Sequence, residues 1–294
     1  MSISLLIPTY NVEDYLPALI ESAYNQTVPF AEIVVYDDAS SDSTADVAES
    51  LNVRVIRGDT NRGPAYARNC LLRAAKSDFV HLHDSDDTHI PERFVEVMER
   101  QADTETAAIC RWKMVGKDQS ERVFAYDEVD DWTKFFINHY VHLNAAVYPR
   151  AFLVEHGGFD DDMIQCDELL MTAKMASFGL DFAYTDAITA LHERREGSLI
   201  DDLEPAEPHK WAVRMCERLL DHLDPAYHEN VGKKALYHTV GLAKADATNG
   251  WIQRGVQVIE RAGLSTISSH GRLTHWISQL VGNDYAIRYI AYNA

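Results

Sequence analysis

The chain has 294 residues, 46% of them hydrophobic and 10% aromatic, enough for one large core or a main domain with a smaller appendage. Its 46 acidic against 27 basic residues give a formal charge of -19, which excludes a reader of phosphate backbones and a polybasic membrane anchor. The four cysteines, Cys70, Cys110, Cys166 and Cys216, are too scattered for a structural zinc site and predict reduced, buried thiols.

"SISLLIPTY" opens the chain without a basic or signal-type segment, and no run approaches the roughly 18 apolar residues of a membrane span. The sequence predicts a soluble, cytoplasmic protein, peripheral to a membrane at most. "ISLLIP" reads as a strand buried on both faces. The next segment predicts a helix from about Tyr15, with Pro17 in its first turn and Val12, Tyr15, Leu16, Leu19, Ile20, Ala23 and Tyr24 on one stripe. "EIVVYDD" is a second strand ending in acid, and "SSDSTADVAESL" a helix opened by Ser43 and Asp46 in the manner of a capping box. "VRVIRG" is a third strand, Gly63-Pro64 starts a helix through "AYARNCLLRAAK", and "DFVHLHDSDD" is a fourth strand with its own acidic end. The helix "PERFVEVMERQ" follows.

Beyond Thr106 the pattern is mixed. "AAICRWKMV" predicts a strand, "DDWTKFFINHYV" a helix, "NAAVYPRAFLVEHGGF" a strand leading into a helix stopped by glycines, "CDELLMTAKMASFG" a helix and "LDFAYTDAITALHE" a strand. After the proline-punctuated "EPAEPHK" the chain reads as helical to its end. The expectation is an α/β fold with a mostly parallel sheet flanked by helices over 1–204, its halves meeting near 105, and a helical extension over 205–294. In open parallel sheets ligands bind outside the carboxyl ends of the strands. Pro8-Thr9-Tyr10-Asn11, Asp37-Asp38 and Asp84-Ser85-Asp86-Asp87 all fall on that edge.

Three carboxylates in four positions repel one another unless a cation sits among them. A D-x-D spacing at a strand end offers oxygen ligands to Mg2+ or Mn2+, which would also take the oxygens of a diphosphate. A solvated acidic loop is the plainer alternative for the motif in isolation.

The ordered series "PTYN", "EIVVYDDASSDST", "NRGPAYARN" and "DFVHLHDSDD" resembles the family 2 glycosyltransferases, whose fold is called GT-A, over about Ser4 to Phe94. The resemblance resumes more loosely at "GGFDDDMIQCDELLMTAKMASFG". It implies an inverting transferase moving a sugar from a nucleotide-diphosphate donor, a UDP-sugar by preference, to a hydroxyl of a carbohydrate or glycolipid acceptor. By the same likeness Pro8, Thr9 and Tyr10 cradle the base, Asp38 accepts from the base imide with Asp37 serving the same pocket, and Arg68 lies near phosphate or ribose. Asp84, Ser85, Asp86 and Asp87 match the metal and ribose motif, and Asp86→Ala is expected to abolish metal-dependent turnover. The motif leaves open which aspartate grips Mn2+ or Mg2+. His192 matches a position facing the diphosphate, as a metal ligand or phosphate contact, with Arg194 and Arg195 beside it.

The family's base is a carboxylate on a helix after "GGFDE". Here Cys166-Asp167-Glu168 stands in that region, and Asp167 and Glu168 both remain candidates, with Asp167 slightly favoured as the shorter acid. Trp132, Phe135 and Phe136 are expected to pack as core. A sugar nucleotidyltransferase would need a glycine-rich basic loop after the first strand, where "PTYNVEDYL" has no glycine and two acids. A binding protein that has kept the fold but lost catalysis is the rival of a different class, supported by the altered Cys166-Asp167-Glu168. No nucleic-acid partner is expected, and the helical extension offers a surface for self-association.

Overall fold

Seven consecutive buried residues, "ISLLIPT", make the first strand, and their unbroken apolar run fits a strand covered on both faces. In the computed structural model, residues 2–103, 105–126, 129–193, 203–245 and 249–264 are described. In chain order the elements are β1 (Ile3–Thr9), α1 (Leu16–Tyr24), β2 (Glu32–Asp37), α2 (Thr44–Ser50), β3 (Arg54–Arg57), α3 (Pro64–Ala74), β4 (Phe79–Leu82) and α4 (Phe94–Gln101). They continue as β5 (Thr106–Val115), β6 (Glu121–Phe124), α5 (Trp132–Asn138), β7 (Ala146–Pro149), α6 (Arg150–Glu155), α7 (Asp167–Ser177), β8 (Asp181–Glu193), α8 (Glu207–His222), α9 (His228–Lys244) and α10 (Asn249–Arg261).

The chain divides into two compact units. The first takes in Met1–Asp130, Val141–Ile164 and Phe178–Glu196, and the second Asp131–Tyr140, Gln165–Ser177 and Gly197–Ala294. The sheet of the first unit runs β3-β2-β1-β4-β7-β5-β6, with β8 also paired to β5. β1, β2, β3 and β4 are mutually parallel, with Leu5 opposite Ile33 on one side and His81 on the other. β7 is antiparallel to both β4 and β5, and β8 runs parallel to β5. Strand order turns back between β1 and β4, so the crevice at the carboxyl ends of these strands is the switch point where α/β sheets bind ligands.

Among the described residues the expected helices form, with local differences; the stretch expected to be helical beyond Leu264 lies outside the described residues. Leu16, Leu19, Ile20 and Ala23 are buried under α1 as the 3.6-residue period demands. Tyr24 leaves the stripe: it is exposed, and its hydroxyl donates to the Leu51 carbonyl at 3.0 Å, a polar tip that water and backbone satisfy better than a core would. At the start of α2, Ser43 makes no capping bond; Asp42 takes that work, its carboxylate accepting from the Thr44 amide at 3.0 Å. Cys110 and Cys216 are buried thiols as expected, whereas Cys70 and Cys166 are half-buried.

In the second unit Phe136 is fully buried, with Trp132 and Phe135 ring centroids 5.8 and 5.3 Å from its own, so the trio packs as core. α9 carries two close approaches: a Cβ at Gly241 would collide with His209, and one at Gly255 of α10 with Thr239. His209 and His238 meet there with their Nδ1 atoms 3.0 Å apart. Burial lowers both rings, His238 to about 3, with the Lys234 charge adding to the effect. A histidine held neutral in the fold but free to protonate near 6.5 when unfolded makes stability full above that pH and progressively lost below it. His238 should therefore contribute about 1–2 kcal/mol to the fall in stability between pH 7 and pH 5 in urea unfolding, and His238→Asn should reduce the slope by that share.

Candidate active site

At the carboxyl end of β1, Pro8 lies opposite Tyr36 and Thr9 opposite Asp37. The Thr9 hydroxyl donates to the Tyr36 carbonyl at 3.1 Å, which ties the two strand ends together. Tyr10 follows with its ring 49% exposed, a flat face available to a base. The two acids at the end of β2 have separate duties. Both Asp38 oxygens accept from the Arg62 amide at 3.0 Å, and one also from the Gly63 amide at 2.7 Å, so this carboxylate anchors the loop that starts α3. Asp37 is 4% exposed; one oxygen accepts from the Ser40 amide at 3.2 Å and the other, Oδ1, has no hydrogen-bond partner among the described residues. A buried, unmatched carboxylate oxygen costs free energy unless a ligand supplies a donor.

The loop after β4 is braced from α1. The Ser22 hydroxyl accepts from the Ile90 amide at 3.0 Å, and the Gln26 amide group donates to the Ile90 and Pro91 carbonyls at 3.1 and 2.9 Å. Within the loop the Asp87 amide donates to the Asp84 carbonyl at 3.2 Å. Asn144, just before β7, grips it from the other side: its side-chain carbonyl accepts from the Asp84 amide at 3.1 Å and its NH2 donates to Asp87 Oδ2 at 2.5 Å. Below lie two buried rings. His81 Nδ1 meets the Ala146 carbonyl at 2.9 Å, His81 Nε2 meets His83 Nδ1 at 3.1 Å, and His83 Nε2 meets the Asp87 carbonyl at 3.0 Å. Burial lowers both rings, and two neutral imidazoles carry only two protons for these three contacts.

Asp84 is paired. Arg68, 5% exposed on α3, places Nη2 2.7 Å from Asp84 Oδ1. Burial alone would raise this acid, but the Arg68 charge, His142 and the hydrogen bond bring it down to about 2. Arg68 thus serves the loop as an internal counter-ion. Arg68→Met removes the charge partner of Asp84, whose side chain is 22% exposed, and should cost about 1–3 kcal/mol of stability in urea unfolding at pH 7.

Asp87 is the meeting point. It is 2% exposed, and His192, at the end of β8, lies with Nδ1 3.1 Å from each of its oxygens. His142, 4% exposed, has Nε2 3.8 Å from Asp87 Oδ2 and 3.9 Å from Asp84 Oδ2, and its ring centroid is 4.6 Å from that of His192. Asp87, His142 and His192 each offer one donor atom within 4.8 Å of the others. Burial outweighs the neighbouring acids at His142 and holds it down to about 4; in the neutral ring Nδ1 accepts from the Asn144 amide at 3.3 Å, so the proton lies on Nε2 facing the acids and an ion would have to displace it. Burial also works against a charged His192, but the Asp87 hydrogen bond and surrounding carboxylates prevail and raise it. Two imidazoles and a carboxylate in reach of one point fit a divalent transition ion.

Asp86 stands apart from this cluster and is exposed; partial desolvation, then the charges of Asp84 and Asp87, raise it to about 6. Ser85 is half-buried in the turn. His142 and Asn144 are the functional candidates that the motifs missed, because they reach the loop only through the pairing of β7 with β4.

Asp167 and Glu168 open α7 in the second unit. Cys166 precedes them in the left-handed region with φ 60°, a conformation that bends the chain into the helix. Asp167 is 4% exposed, and Glu168 Oε2 accepts from the Tyr140 hydroxyl at 2.8 Å. Arg194 and Arg195 lie outside the described residues.

Residues 4–156, just over half of the chain, match the model of Glycosyl transferase family 2. The succinoglycan biosynthesis protein ExoO of Rhizobium meliloti is 28% identical over 216 residues, covering 67% of this chain and 62% of that protein. Among solved structures, TarS 1–349 of S. aureus with UDP-GlcNAc is similar at a TM-score of 0.70 and 20% identity, over 97% of this chain and 92% of that one. The mannosyltransferase PcManGT of Pyrobaculum calidifontis, with GDP-Man and Mn2+, reaches 0.55 at 18% identity, over 98% and 83%. These structural likenesses speak for the GT-A fold. The curated relatives are matched over 62% of their length or less, so the chain spans under two thirds of them. The family match covers β1 through α6 and every element that holds the Asp84–Asp87 loop except β8, and the chain belongs to glycosyl transferase family 2.

Proposed function

We propose that the protein is an inverting, metal-dependent transferase that moves a sugar from a UDP-sugar to an acceptor hydroxyl. The observation that carries this reading is the Asp87–His142–His192 cluster at the carboxyl end of the β4 side of the switch point, with the unmatched Asp37 Oδ1 on the β2 side. Asp37 is the carboxylate for the imide N–H of uracil, since Asp38 is committed to backbone amides. Tyr10 supplies the ring face, and Arg68 keeps Asp84 ionised beneath the ribose end. A divalent ion held by Asp87, His142 and His192 would neutralise the diphosphate as it leaves. The mixed nitrogen and oxygen donors favour Mn2+ over Mg2+, which prefers oxygen alone. Asp167 is the candidate to take the acceptor proton, with Glu168 the alternative. A transferase domain over 1–204 with an extension from 205, helical through Arg261 among the described residues, completes the proposal.

Support for a UDP donor comes from the TarS complexes with UDP and UDP-GlcNAc, and support for the ion from PcManGT with Mn2+. Incubation with a panel of UDP-sugars should release UDP with Mn2+ and not with EDTA. No release from any donor, together with UDP-dependent thermal protection, would leave a binding protein instead. Asp37→Asn replaces a charged acceptor by a neutral amide and should weaken UDP binding about tenfold in calorimetry, with the melting temperature little changed.

A further inference from the structure

A cavity of about 470 Å³ lies on the flank of the first unit, between β3 and α3. Tyr66, Cys70 and Arg73 line it from α3, spaced by four and three residues and therefore on one face of the helix. Arg68, two residues beyond Tyr66, leaves α3 on a different face to reach Asp84, so the cavity opens away from the Asp84–Asp87 loop. Tyr36 lines it from β2, and its phenol, pushed up to about 12 by burial first and by its neighbours second, remains a hydrogen-bond donor.

The charges set this cavity apart. The Arg62 guanidinium stacks on the Tyr66 ring, 3.6 Å from its centroid, and Arg73 Nη2 donates to Cys70 Sγ at 3.4 Å. Neither has a carboxylate within ion-pair distance among the described residues, although the chain holds 46 acids against 27 bases. Arg57, also at the rim, is committed to Asp46 and Glu49. Asp59, the one lining carboxylate, is beyond ion-pair reach of Arg62 and Arg73. Two uncommitted guanidiniums beside two phenol rings, in a cavity within the usual 300–1,000 Å³ range of ligand sites, suit a small anion attached to a flat or sugar-like body.

We propose that this cavity binds a phosphate-bearing small molecule, with Arg62 and Arg73 holding the phosphate oxygens and Tyr36 and Tyr66 forming the wall. The cavity opens away from the Asp84–Asp87 loop but adjoins Asp37 and Asp38 through Tyr36 and Arg62, and the proposal stands whether or not the transferase reading holds.

Cys70 reports on it directly. It is half-buried in the cavity, while half-buried Cys166, in the second unit, serves as an internal control. The rate of iodoacetamide alkylation at each thiol would be followed by peptide mass spectrometry in EDTA. Inorganic pyrophosphate at about ten times its dissociation constant should slow Cys70 by about tenfold and leave Cys166 unchanged. Arg73→Ala should abolish the protection without altering UDP affinity. Ribose 5-phosphate tested beside pyrophosphate separates the sources: protection at lower concentration by the sugar phosphate means a phosphate on a sugar-like body, and equal protection means free phosphate. The proposal is overturned if neither compound slows Cys70, if sodium chloride of equal ionic strength protects as well, or if protection persists in Arg73→Ala.

Discussion

His142→Ala will lower affinity for Mn2+ by on the order of 100-fold and remove Mn2+-dependent UDP release with it, while the folded protein persists. The expectation rests on what His142 does locally. It sits 4% exposed with Nε2 3.8 Å from Asp87 and 3.9 Å from Asp84, in a setting that keeps its ring neutral. A buried imidazole that directs Nε2 at two carboxylates can give that nitrogen to an ion once its proton is released, and alanine leaves that position empty. Asp87 and His192 still face one another at 3.1 Å, so the loop keeps its shape and the loss is one of coordination. His142→Gln should recover little, because an amide oxygen substitutes poorly for imidazole nitrogen at a transition ion. Unchanged Mn2+ affinity in His142→Ala would remove this residue from the site. Asp86→Ala is the informative companion, since Asp86 stands outside the donor cluster and its loss should reduce turnover less than that of Asp87 or His142.

Asp167→Asn should reduce turnover by about 10²–10⁴ while leaving UDP affinity within about twofold of the parent, as expected for loss of a general base. Asp167 is 4% exposed in the first turn of α7, at the positive end of the helix dipole. Glu168 is already committed to the Tyr140 hydroxyl at 2.8 Å, a bond that the Glu168→Gln amide oxygen can still accept. Turnover of Glu168→Gln is accordingly expected within about tenfold of the parent. The two variants, assayed side by side by UDP release, decide between the acids. An active Asp167→Asn with an inactive Glu168→Gln would assign the base to Glu168.

The strands of the first half were legible because buried parallel strands are continuous apolar runs, as in "ISLLIP" and "EIVVY". Polar residues at their carboxyl ends located the crevice. Which acid does what was not legible. Asp37 and Asp38 are neighbours in sequence, yet only their last turns of backbone decide that Asp38 meets the amides of Arg62 and Gly63 while Asp37 keeps an oxygen unmatched. Arg68 carried a usable signal: it shares a helical stripe with Ala65, Leu71 and Leu72, all buried, and a guanidinium on such a stripe calls for an acid partner. His142 and Asn144 carried none. They reach the Asp84–Asp87 loop from far along the chain, Asn144 across 57 and 60 residues, because β7 pairs antiparallel with β4, a contact that no local period announces. Asp87 was available in the motif, but only the convergence of β8 and the segment before β7 singles it out from Asp84 and Asp86.

The most direct test of the metal centre is pulsed electron paramagnetic resonance of Mn2+ bound to the full-length protein with UDP. Asp87, His142 and His192 as ligands predict hyperfine couplings from two imidazole nitrogens, reduced to one in His142→Ala. A bound ion with no nitrogen coupling, held by oxygens alone, would contradict the account.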